Sequence, residues 1–358
     1  MGDRPTIYAV AERCGVSTTT VSRVMHDESF GSMRTRERVL NTAFELGWVP
    51  NGAARGLASR KAGMVGLLFP DLGEQGLAEE ESPLYVDQVI RGAERVATRA
   101  GQAVVVAAVR PSGGKALAYS VAGKVDGLVI MSRSLSDRDV MAIARSVPVV
   151  LLAHQPGRRS FDQVSVDNRN GMRELTLHLL EHHGYRELVF VGGPPGSPDS
   201  NERFRGFCEA LTMVGLTPPG EVTFQGGFTE AGGRRAMGEL VALGSLARVL
   251  VFGNDEMAIG ALGVLREKGL RIPEDVAITG FDSIAVSRHV SPTLTTVRQP
   301  MRELGEVAVE LLLSRIQQSE ASRRSVSLST ELVIRESCGC GASGQVDTRE
   351  ESGTWQTR

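Results

Sequence analysis

Side chains able to contact a nucleic acid lie together near the N-terminus. Ser17 can cap a short helix in which Val21 and Val24 share one face. The opposite face of this predicted helix carries Thr18, Thr19, Ser22 and Arg23. Hydroxyl groups and a guanidinium hydrogen-bond to base edges and phosphates, so this polar face is a candidate DNA contact.

Two further helices are predicted to position this face. The first follows a possible N-cap at Thr6 and ends at Gly15, and its apolar stripe consists of Ile7, Val10, Ala11 and Cys14. The other, expected to be capped by Thr35, covers the first two with Val39, Leu40, Ala43, Phe44 and Leu46. This arrangement predicts a helix-turn-helix unit, whose second helix enters the major groove of DNA.

Several sequence motifs here resemble one family. The run Val-Ala-x-x-Cys-Gly-Val-Ser-x-x-Thr-Val-Ser-Arg-Val, with the later Thr-Arg-Glu-Arg-Val-Leu, Leu-Gly-Trp-Val-Pro-Asn and Ala-Arg-Gly-Leu, resembles the lactose-repressor (LacI/GalR) family of bacterial transcription regulators. An unrelated helix pair would explain the apolar spacing but not the outward polar residues. The resemblance implies that residues 51–63 form a hinge that folds against the minor groove. Leu57 would then wedge a base step open, and Thr6, Ser17, Asn51 and Arg55 are further candidates for DNA contact.

Charge is distributed unevenly along the 358 residues, which are enough for two or three folded units. Residues 1–62 carry 9 Lys/Arg against 6 Asp/Glu, and the remaining 31 against 36 bring the net charge to −2. Bulk charge is therefore weak evidence for nucleic-acid binding, and the motif is the stronger indication.

The four cysteines, Cys14, Cys208, Cys338 and Cys340, are too few and too scattered for a disulfide framework, which favours a reducing compartment. Cys338 and Cys340 could hold a metal or change redox state, but the sequence shows no second Cys or His pair nearby at ligand spacing. We therefore expect a tail without chemistry, and no metal or cofactor. With no run of 18 apolar residues and no signal-like N-terminus, a cytoplasmic location is expected.

From Met64 onwards, short apolar runs alternate with helical stretches, which predicts parallel sheets covered by helices. The predicted strands are 64–69, 103–106, 127–130, 147–152, 188–191, 249–252 and 276–279. The predicted helices are 84–99, 115–122, 137–145, 172–182, 202–213, 232–242 and 255–268. Helix 301–317 and the strand-like segment 326–334 are expected to return and complete the two lobes. The predicted fold class is α/β, with a three-helix helix-turn-helix head and a two-lobed body that resembles the periplasmic sugar-binding fold.

The predicted domain boundaries follow from these patterns. A DNA-binding head spans 1–50, a hinge or linker spans 51–63, and a body for ligand binding and dimerisation spans 64–340. Lobe 1 is placed at about 64–166 and 297–322, and lobe 2 at about 167–296 and 323–340. Residues 341–358 are expected to form a flexible tail. They lack a leucine heptad, which argues for a dimer over a tetramer.

A ligand is expected in the cleft between the lobes, at the C-terminal ends of the strands. The resemblance assigns it to Leu84, Tyr85, Arg203, Asn254, Asp255 and Asp282. An Arg fork, an amide and carboxylates suit the hydroxyl groups of a polyol. Each of these residues could instead cap a helix or join the lobes, and Asp255 in particular is an N-cap candidate.

The chain also departs from the family pattern. Ala153 and His154 stand where sugar-responsive members often have an Asp, so one polar contact is missing. An acidic, glycine-containing insertion at 73–82 borders the expected cleft and could change the size or charge of the ligand. A structural role is the more common one for a single histidine such as His154.

Three classes of function are compared. The favoured one is a repressor that binds a palindromic operator as a homodimer and is released by a small sugar-like effector. The alternative within the family is a regulator that needs a co-repressor such as a nucleobase. An enzyme is not expected, because the sequence has no nucleotide-binding glycine motif and no assignable Ser/His/Asp set. An extracytoplasmic solute-binding protein would share the body but would have a signal peptide and no head.

Overall fold

The computed structural model describes residues 5–26, 30–48, 61–71, 84–110, 114–153, 160–244, 246–318 and 322–341. These separate into two compact units, one up to Gly63 and one from Met64. Several predictions concern residues outside the described ranges: Asn51, Arg55, Leu57, His154, the insertion 73–82 and the tail beyond Gly341.

The head consists of three helices, α1 (Ile7–Cys14), α2 (Thr18–His26) and α3 (Met33–Leu46). The Ala9 N–H donates to Thr6 Oγ1 at 3.4 Å, and Gly15 ends α1 with a left-handed φ of 61°. The Thr20 N–H donates to Ser17 Oγ at 3.1 Å, so Ser17 caps α2 as predicted.

Helix α3 differs from the prediction in its cap and in the face that it buries. Ser32, not Thr35, is the cap, because Ser32 Oγ accepts from the Thr35 N–H at 3.2 Å. Val39 and Ala43 are buried and Leu46 packs against them, but Leu40 is 39% exposed and Phe44 is 88% exposed. Leu40 and Phe44 each follow a buried residue, and a step of about 100° around the helix turns them away from the core.

Lobe 1 of the body is built on a six-stranded parallel sheet. Its strands are β1 (Met64–Pro70), β2 (Ala103–Val109), β3 (Gly127–Met131), β4 (Val149–Leu152), β5 (Asp162–Val166) and β11 (Ser325–Leu328), in the order β11-β5-β4-β3-β1-β2. Its helices are α4 (Leu84–Arg99), α5 (Gly114–Ala122), α6 (Asp137–Ile143) and α11 (Met301–Gln317). Helices α4 and α11 cover one face, and α5 and α6 cover the other.

Lobe 2 has a four-stranded parallel sheet in the order β7-β6-β8-β9. Its strands are β6 (Leu188–Gly192), β7 (Phe224–Gln225), β8 (Val249–Phe252) and β9 (Ala277–Thr279). Its helices are α7 (Asn168–Leu177), α8 (Pro198–Met213), α9 (Glu230–Ala242) and α10 (Asp255–Glu267). A five-residue π-helical turn, His178–His182, follows α7 where a single continuous helix was predicted. The predicted α/β class with parallel sheets is confirmed.

The C-terminal strand differs from its prediction. The segment predicted as one strand is two, β11 and β12 (Glu331–Val333). Val326 pairs with Val164 in the lobe 1 sheet, whereas Leu332 pairs antiparallel with Val297 of β10 (Thr296–Arg298). Residues 325–328 therefore belong to lobe 1, although the prediction placed 323–340 in lobe 2. Strand β11 is an edge strand with alternating exposed and half-buried residues, so its sequence does not distinguish the two sheets.

No helix within the described residues is long and apolar enough to cross a membrane.

Candidate DNA-binding face and ligand cleft

The predicted DNA-reading face is on the outside of α2. Val21 and Val24 are completely buried, which turns the opposite side of the helix outwards. Thr19 and Arg23 are exposed, while Thr18 and Ser22 are half-buried. Thr6 and Ser17 accept hydrogen bonds as helix caps, so their oxygens have a local structural role as well.

Arg23 has an aromatic neighbour that the sequence did not indicate. Its guanidinium carbon lies 5.2 Å from the centroid of the Phe30 ring. A cation over a ring face gains roughly 0.5 to 1 kcal/mol at an exposed site. Phe30 thus favours one orientation of the Arg23 side chain without burying it.

The cleft between the lobes is lined from both sides at the carboxyl ends of the strands. Lobe 1 contributes Pro70, Tyr85, Val86, Met131, Ser132 and Arg133. Lobe 2 and the segment after β10 contribute Ser197, Asp199, Arg203, Phe228, Asn254, Glu256, Asp282 and Gln299. Three of the predicted ligand residues, Arg203, Asn254 and Asp282, therefore meet Tyr85 across one cavity.

Arg203, on α8, is 3% exposed and is fixed by several contacts. Its Nε donates to Asn168 Oδ1 at 2.8 Å and its Nη1 donates to Gly253 O at 2.5 Å. The same Nη1 lies 3.2 Å from Asp282 Oδ1. The ring of Phe281, centred 3.8 Å from Cζ, stacks on the guanidinium. These contacts preorganise the side chain, so binding a ligand there loses little further side-chain entropy.

Asp282 follows β9 in a backbone conformation with φ of 116°, which is unusual for a residue with a side chain. The Gln299 amide nitrogen donates to Asp282 Oδ1 at 2.5 Å. Burial raises the pKa of Asp282 to about 6, although Arg203 and Gln299 both favour the ionised form. Asp282 is therefore a buried carboxyl that is paired on one side.

Several polar atoms of the cleft have no hydrogen-bond partner among the described residues. Arg203 uses Nε and Nη1 but not Nη2, and Asp282 uses Oδ1 but not Oδ2. The hydroxyl of Tyr85 and the guanidinium of Arg133 make no hydrogen bond with other described parts of the chain. The cleft thus offers donors and an acceptor to a polar ligand.

Two of the predicted ligand residues, Asn254 and Asp255, also have structural contacts. Asn254 caps α10 by accepting from the Met257 N–H at 3.1 Å. Asp255 does not line the cavity, and its two oxygens accept from Thr296 at 2.5 Å and from the Ile284 N–H at 2.9 Å. It follows the N-cap instead of being the cap itself.

Leu84, the other ligand candidate from lobe 1, also lies outside the cavity lining, with a side chain that is 39% exposed. Its N–H donates to Glu256 Oε1 of lobe 2 at 3.0 Å. That hydrogen bond joins the rims of the two lobes.

Sequence reasoning missed Arg133, Asn168, Asp199, Phe228 and Gln299. Arg133, Asn168 and Gln299 come shortly after strands β3, β5 and β10, so the strand-end rule could have found them. Asp199 accepts from Asn168 Nδ2 at 2.8 Å, and burial raises the pKa of its carboxyl although Arg203 opposes this. The loop before α9 places Phe228 beside Arg203, and nothing in the sequence indicated this position.

Titration of Asp282 is expected to make the folded protein less stable as the pH rises. Because burial raises its pKa from 3.8 to about 6, the folded chain binds this proton more tightly than the unfolded chain. Its contribution is fully present below about pH 4 and is lost by roughly pH 6. The free energy of unfolding of wild type minus that of Asp282→Asn should therefore fall by up to about 3 kcal/mol over this range.

The measurement is urea unfolding of both proteins across the pH range. Asp199 and Asp255 are present in both proteins. The difference between the two free energies of unfolding therefore reports the titration of Asp282 and its electrostatic coupling to these two carboxyls. A difference that stays constant with pH would contradict a raised pKa.

Comparisons with known proteins agree with this architecture. Residues 6–51 match bacterial regulatory proteins of the lacI family, and residues 177–338 match a periplasmic binding protein-like domain. The HTH-type transcriptional repressor PurR of Pasteurella multocida (strain Pm70) is 31% identical over 337 residues, which cover 93% of this chain and 98% of that protein.

Two solved structures are similar over nearly the whole chain. The complex of the transcriptional regulator CelR with cellobiose has 32% identity and a TM-score of 0.68, covering 93% of this chain and 100% of that one. The lac repressor dimer bound to operator and the anti-inducer ONPF has 28% identity and a TM-score of 0.78, covering 94% and 99%. With its helix-turn-helix head and its two-lobed α/β body, the chain belongs to the LacI family of bacterial regulatory proteins.

Proposed function

We propose that the protein is a transcriptional repressor that binds a palindromic operator as a homodimer and is released by a small sugar-like effector. The observation that carries the proposal is the cleft, where Arg203 and Asp282 are fixed by protein contacts yet each keeps one polar atom without a partner. A sugar hydroxyl can accept from Arg203 Nη2 and donate to Asp282 Oδ2 at the same time. In this proposal the cleft binds and does not catalyse.

The aromatic residues of the cleft support a ring-shaped effector. Tyr85 from lobe 1 and Phe228 from lobe 2 both line the cavity. A sugar ring can lie against an aromatic face while its hydroxyls meet the polar groups. A planar nucleobase could stack there as well, and this observation keeps a co-repressor of that class as the alternative.

DNA contact is proposed to involve the outward residues of α2 together with the hinge. Thr19 and Arg23 are the most exposed of the α2 candidates, and Asn51, Arg55 and Leu57 are proposed for the hinge from the sequence. The lac repressor structure contains a dimer on its operator. By analogy, two copies of this chain would place two α2 helices about one helical turn of DNA apart. A cytoplasmic location follows from this proposal.

The effector class can be tested by thermal-shift screening of the full chain with sugars and nucleobases. Cellobiose, the ligand in the CelR complex, is the first compound to try. A ligand at about 100 times its Kd should stabilise the folded state by roughly 2.7 kcal/mol. A shift with nucleobases and none with sugars would replace the sugar proposal by the co-repressor alternative.

Replacing Arg23 by alanine should weaken specific DNA binding by roughly 1 to 3 kcal/mol, since an Arg on this face can pair bidentately with guanine. Non-specific binding should change much less. The measurement is a gel-shift titration on a duplex selected from a random library and on a scrambled duplex.

Arg13→Ala is the matched control, because it removes the same charge from the head at a residue paired with Glu45 on α3. Equal losses on the selected and scrambled duplexes would make Arg23 a phosphate contact and would withdraw its base-reading role.

A further inference from the structure

Two histidines and two cysteines that do not line the cleft meet at the C-terminal end of the body. The ligand atoms of His178, His183, Cys338 and Cys340 all lie within 4.8 Å of one another. The expectation that no second Cys or His pair lies near the two cysteines is therefore wrong. The pair comes from the segment after α7, about 160 residues earlier in the chain.

The π-helical turn explains how the two histidines face the same way. In an α-helix, residues five apart point about 140° away from each other, because each residue turns by about 100°. A π-turn closes hydrogen bonds between residues five apart and so brings them much closer to the same face of the helix. His178 and His183 are five apart across the turn His178–His182. Such turns occur frequently at functional sites.

Gly339 gives the cysteine segment its shape. It adopts a φ of 105°, which residues with side chains rarely do, and this turn brings Cys338 and Cys340 to the same side. A Cβ on Gly339 would lie 3.0 Å from the Tyr185 hydroxyl and 3.5 Å from the His183 ring. The residue between Cys338 and Cys340 therefore has to be small and has to adopt a left-handed backbone conformation.

The distances match a tetrahedral ion with two sulfur and two nitrogen ligands. Cys340 Sγ lies 3.3 Å from His183 Nε2 and 3.6 Å from His178 Nε2, and Cys338 Sγ lies 3.7 Å from His178 Nε2. With Zn–S of about 2.3 Å and Zn–N of about 2.05 Å, tetrahedral angles require sulfur and nitrogen to be about 3.6 Å apart. The three sulfur–nitrogen distances are therefore close to those of such a site.

The surroundings can hold the ligands in place. The Thr295 hydroxyl lies 3.2 Å from Cys338 Sγ, where it can donate to a thiolate. The ring of Tyr185 stacks on His183 with centroids 5.2 Å apart. Cys338 is fully buried, whereas His178, His183 and Cys340 are half-buried, so an ion can enter from solvent.

We propose that His178, His183, Cys338 and Cys340 form a Cys₂His₂ site for Zn²⁺. Tetrahedral S₂N₂ coordination suits zinc, and four protein ligands leave no open position for catalysis. The ion would join the C-terminal turn to the end of α7, which are separated by 154 intervening residues between positions 183 and 338 and are already linked by the Tyr185 hydroxyl, which donates to Cys338 O at 3.0 Å. Its role would be to clamp the C-terminal segment onto lobe 2.

The experiment uses the full chain, purified under reducing conditions without chelator. Elemental analysis is expected to find one Zn²⁺ per chain. Exchange with Co²⁺ is expected to give the intense visible bands of a tetrahedral ion and a thiolate charge-transfer band. Changes behind metal ligands typically cost about 10- to 100-fold in affinity. Cys340→Ser and His183→Ala should therefore weaken Zn²⁺ binding at least about 100-fold in a chelator competition.

Two matched controls separate ligands from neighbours. His182→Asn removes an exposed imidazole that stacks on His178 at 5.1 Å but is not part of the cluster. Cys208→Ser removes a half-buried thiol elsewhere in lobe 2. Both controls should retain Zn²⁺ and the Co²⁺ spectrum.

Two outcomes of this experiment would overturn the proposal: wild-type protein that binds neither ion, or Zn²⁺ binding by Cys340→Ser and His183→Ala that is as tight as in the controls. A disulfide between Cys338 and Cys340 in protein isolated separately without reductant would also overturn it. If a ligand variant fails to fold, Co²⁺ titration of wild type with its charge-transfer band decides by itself.

Discussion

The Arg203→Ala protein should bind the effector more weakly by roughly 2 to 4 kcal/mol, or about 30- to 700-fold. The reason is that Asp282, which lies 3.2 Å from Arg203 and is 4% exposed, would be left buried without its cation. The ligand would also lose the donor at Arg203 Nη2. Isothermal titration with the compound found by the thermal-shift screen measures the loss.

Arg205→Ala is the matched control, because Arg205 lies on the same helix but is exposed and pairs with Glu202. Asp282→Asn keeps the shape of the cleft and serves if Arg203→Ala folds poorly. Effector affinities that agree in Arg203→Ala, Asp282→Asn and Arg205→Ala would show that the ligand does not bind between Arg203 and Asp282.

Arg315→Met should destabilise lobe 1 by roughly 3 to 5 kcal/mol. Arg315 is 3% exposed and Asp162 is completely buried, and the two are joined by hydrogen bonds of 2.7 and 3.1 Å. Burial alone would raise the pKa of Asp162, but hydrogen bonds from Arg315 and from the Arg324 N–H hold it below its usual value. Removing Arg315 leaves a buried carboxylate without its main partner.

Urea unfolding of the full chain gives the change in stability. Arg95→Met is the control, since Arg95 forms a surface ion pair with Glu306 at 3.2 Å. Losing this exposed pair should lower the free energy of unfolding by no more than about 1 kcal/mol. Adding Asp162→Leu to Arg315→Met should recover much of the loss, because the buried charge is then gone. Equal midpoints for Arg315→Met and Arg95→Met would mean that the buried pair does not stabilise lobe 1.

The parts of the fold that follow from local patterns could be predicted from the sequence. Thr6 and Ser17 cap their helices as expected, because a cap depends only on residues two or three positions away. Buried strands such as β1 and β8 are continuous apolar runs, which parallel sheets require on both faces.

Features that depend on distant residues were missed. Nothing local distinguishes β11 from β12, which belong to different sheets. The burial of Asp162 is compensated by Arg315, 153 residues away, and Cys340 meets His178 across 162 residues. Such pairs form only when the chain returns to both lobes, and periodicity carries no information about that return. In the cleft, the family resemblance located Arg203 and Asp282, but it could not show that Asp255 is tied to Thr296.

We propose that effector binding in the cleft and DNA binding by the head are coupled. The most direct test measures two ratios on the wild-type protein: operator Kd with and without saturating effector, and effector Kd with and without saturating operator. Linkage requires the two ratios to be equal. For an inducer, both should correspond to about 1 to 3 kcal/mol of unfavourable coupling. An effector that binds with the same Kd whether or not operator is present would show that the cleft and the head are not coupled.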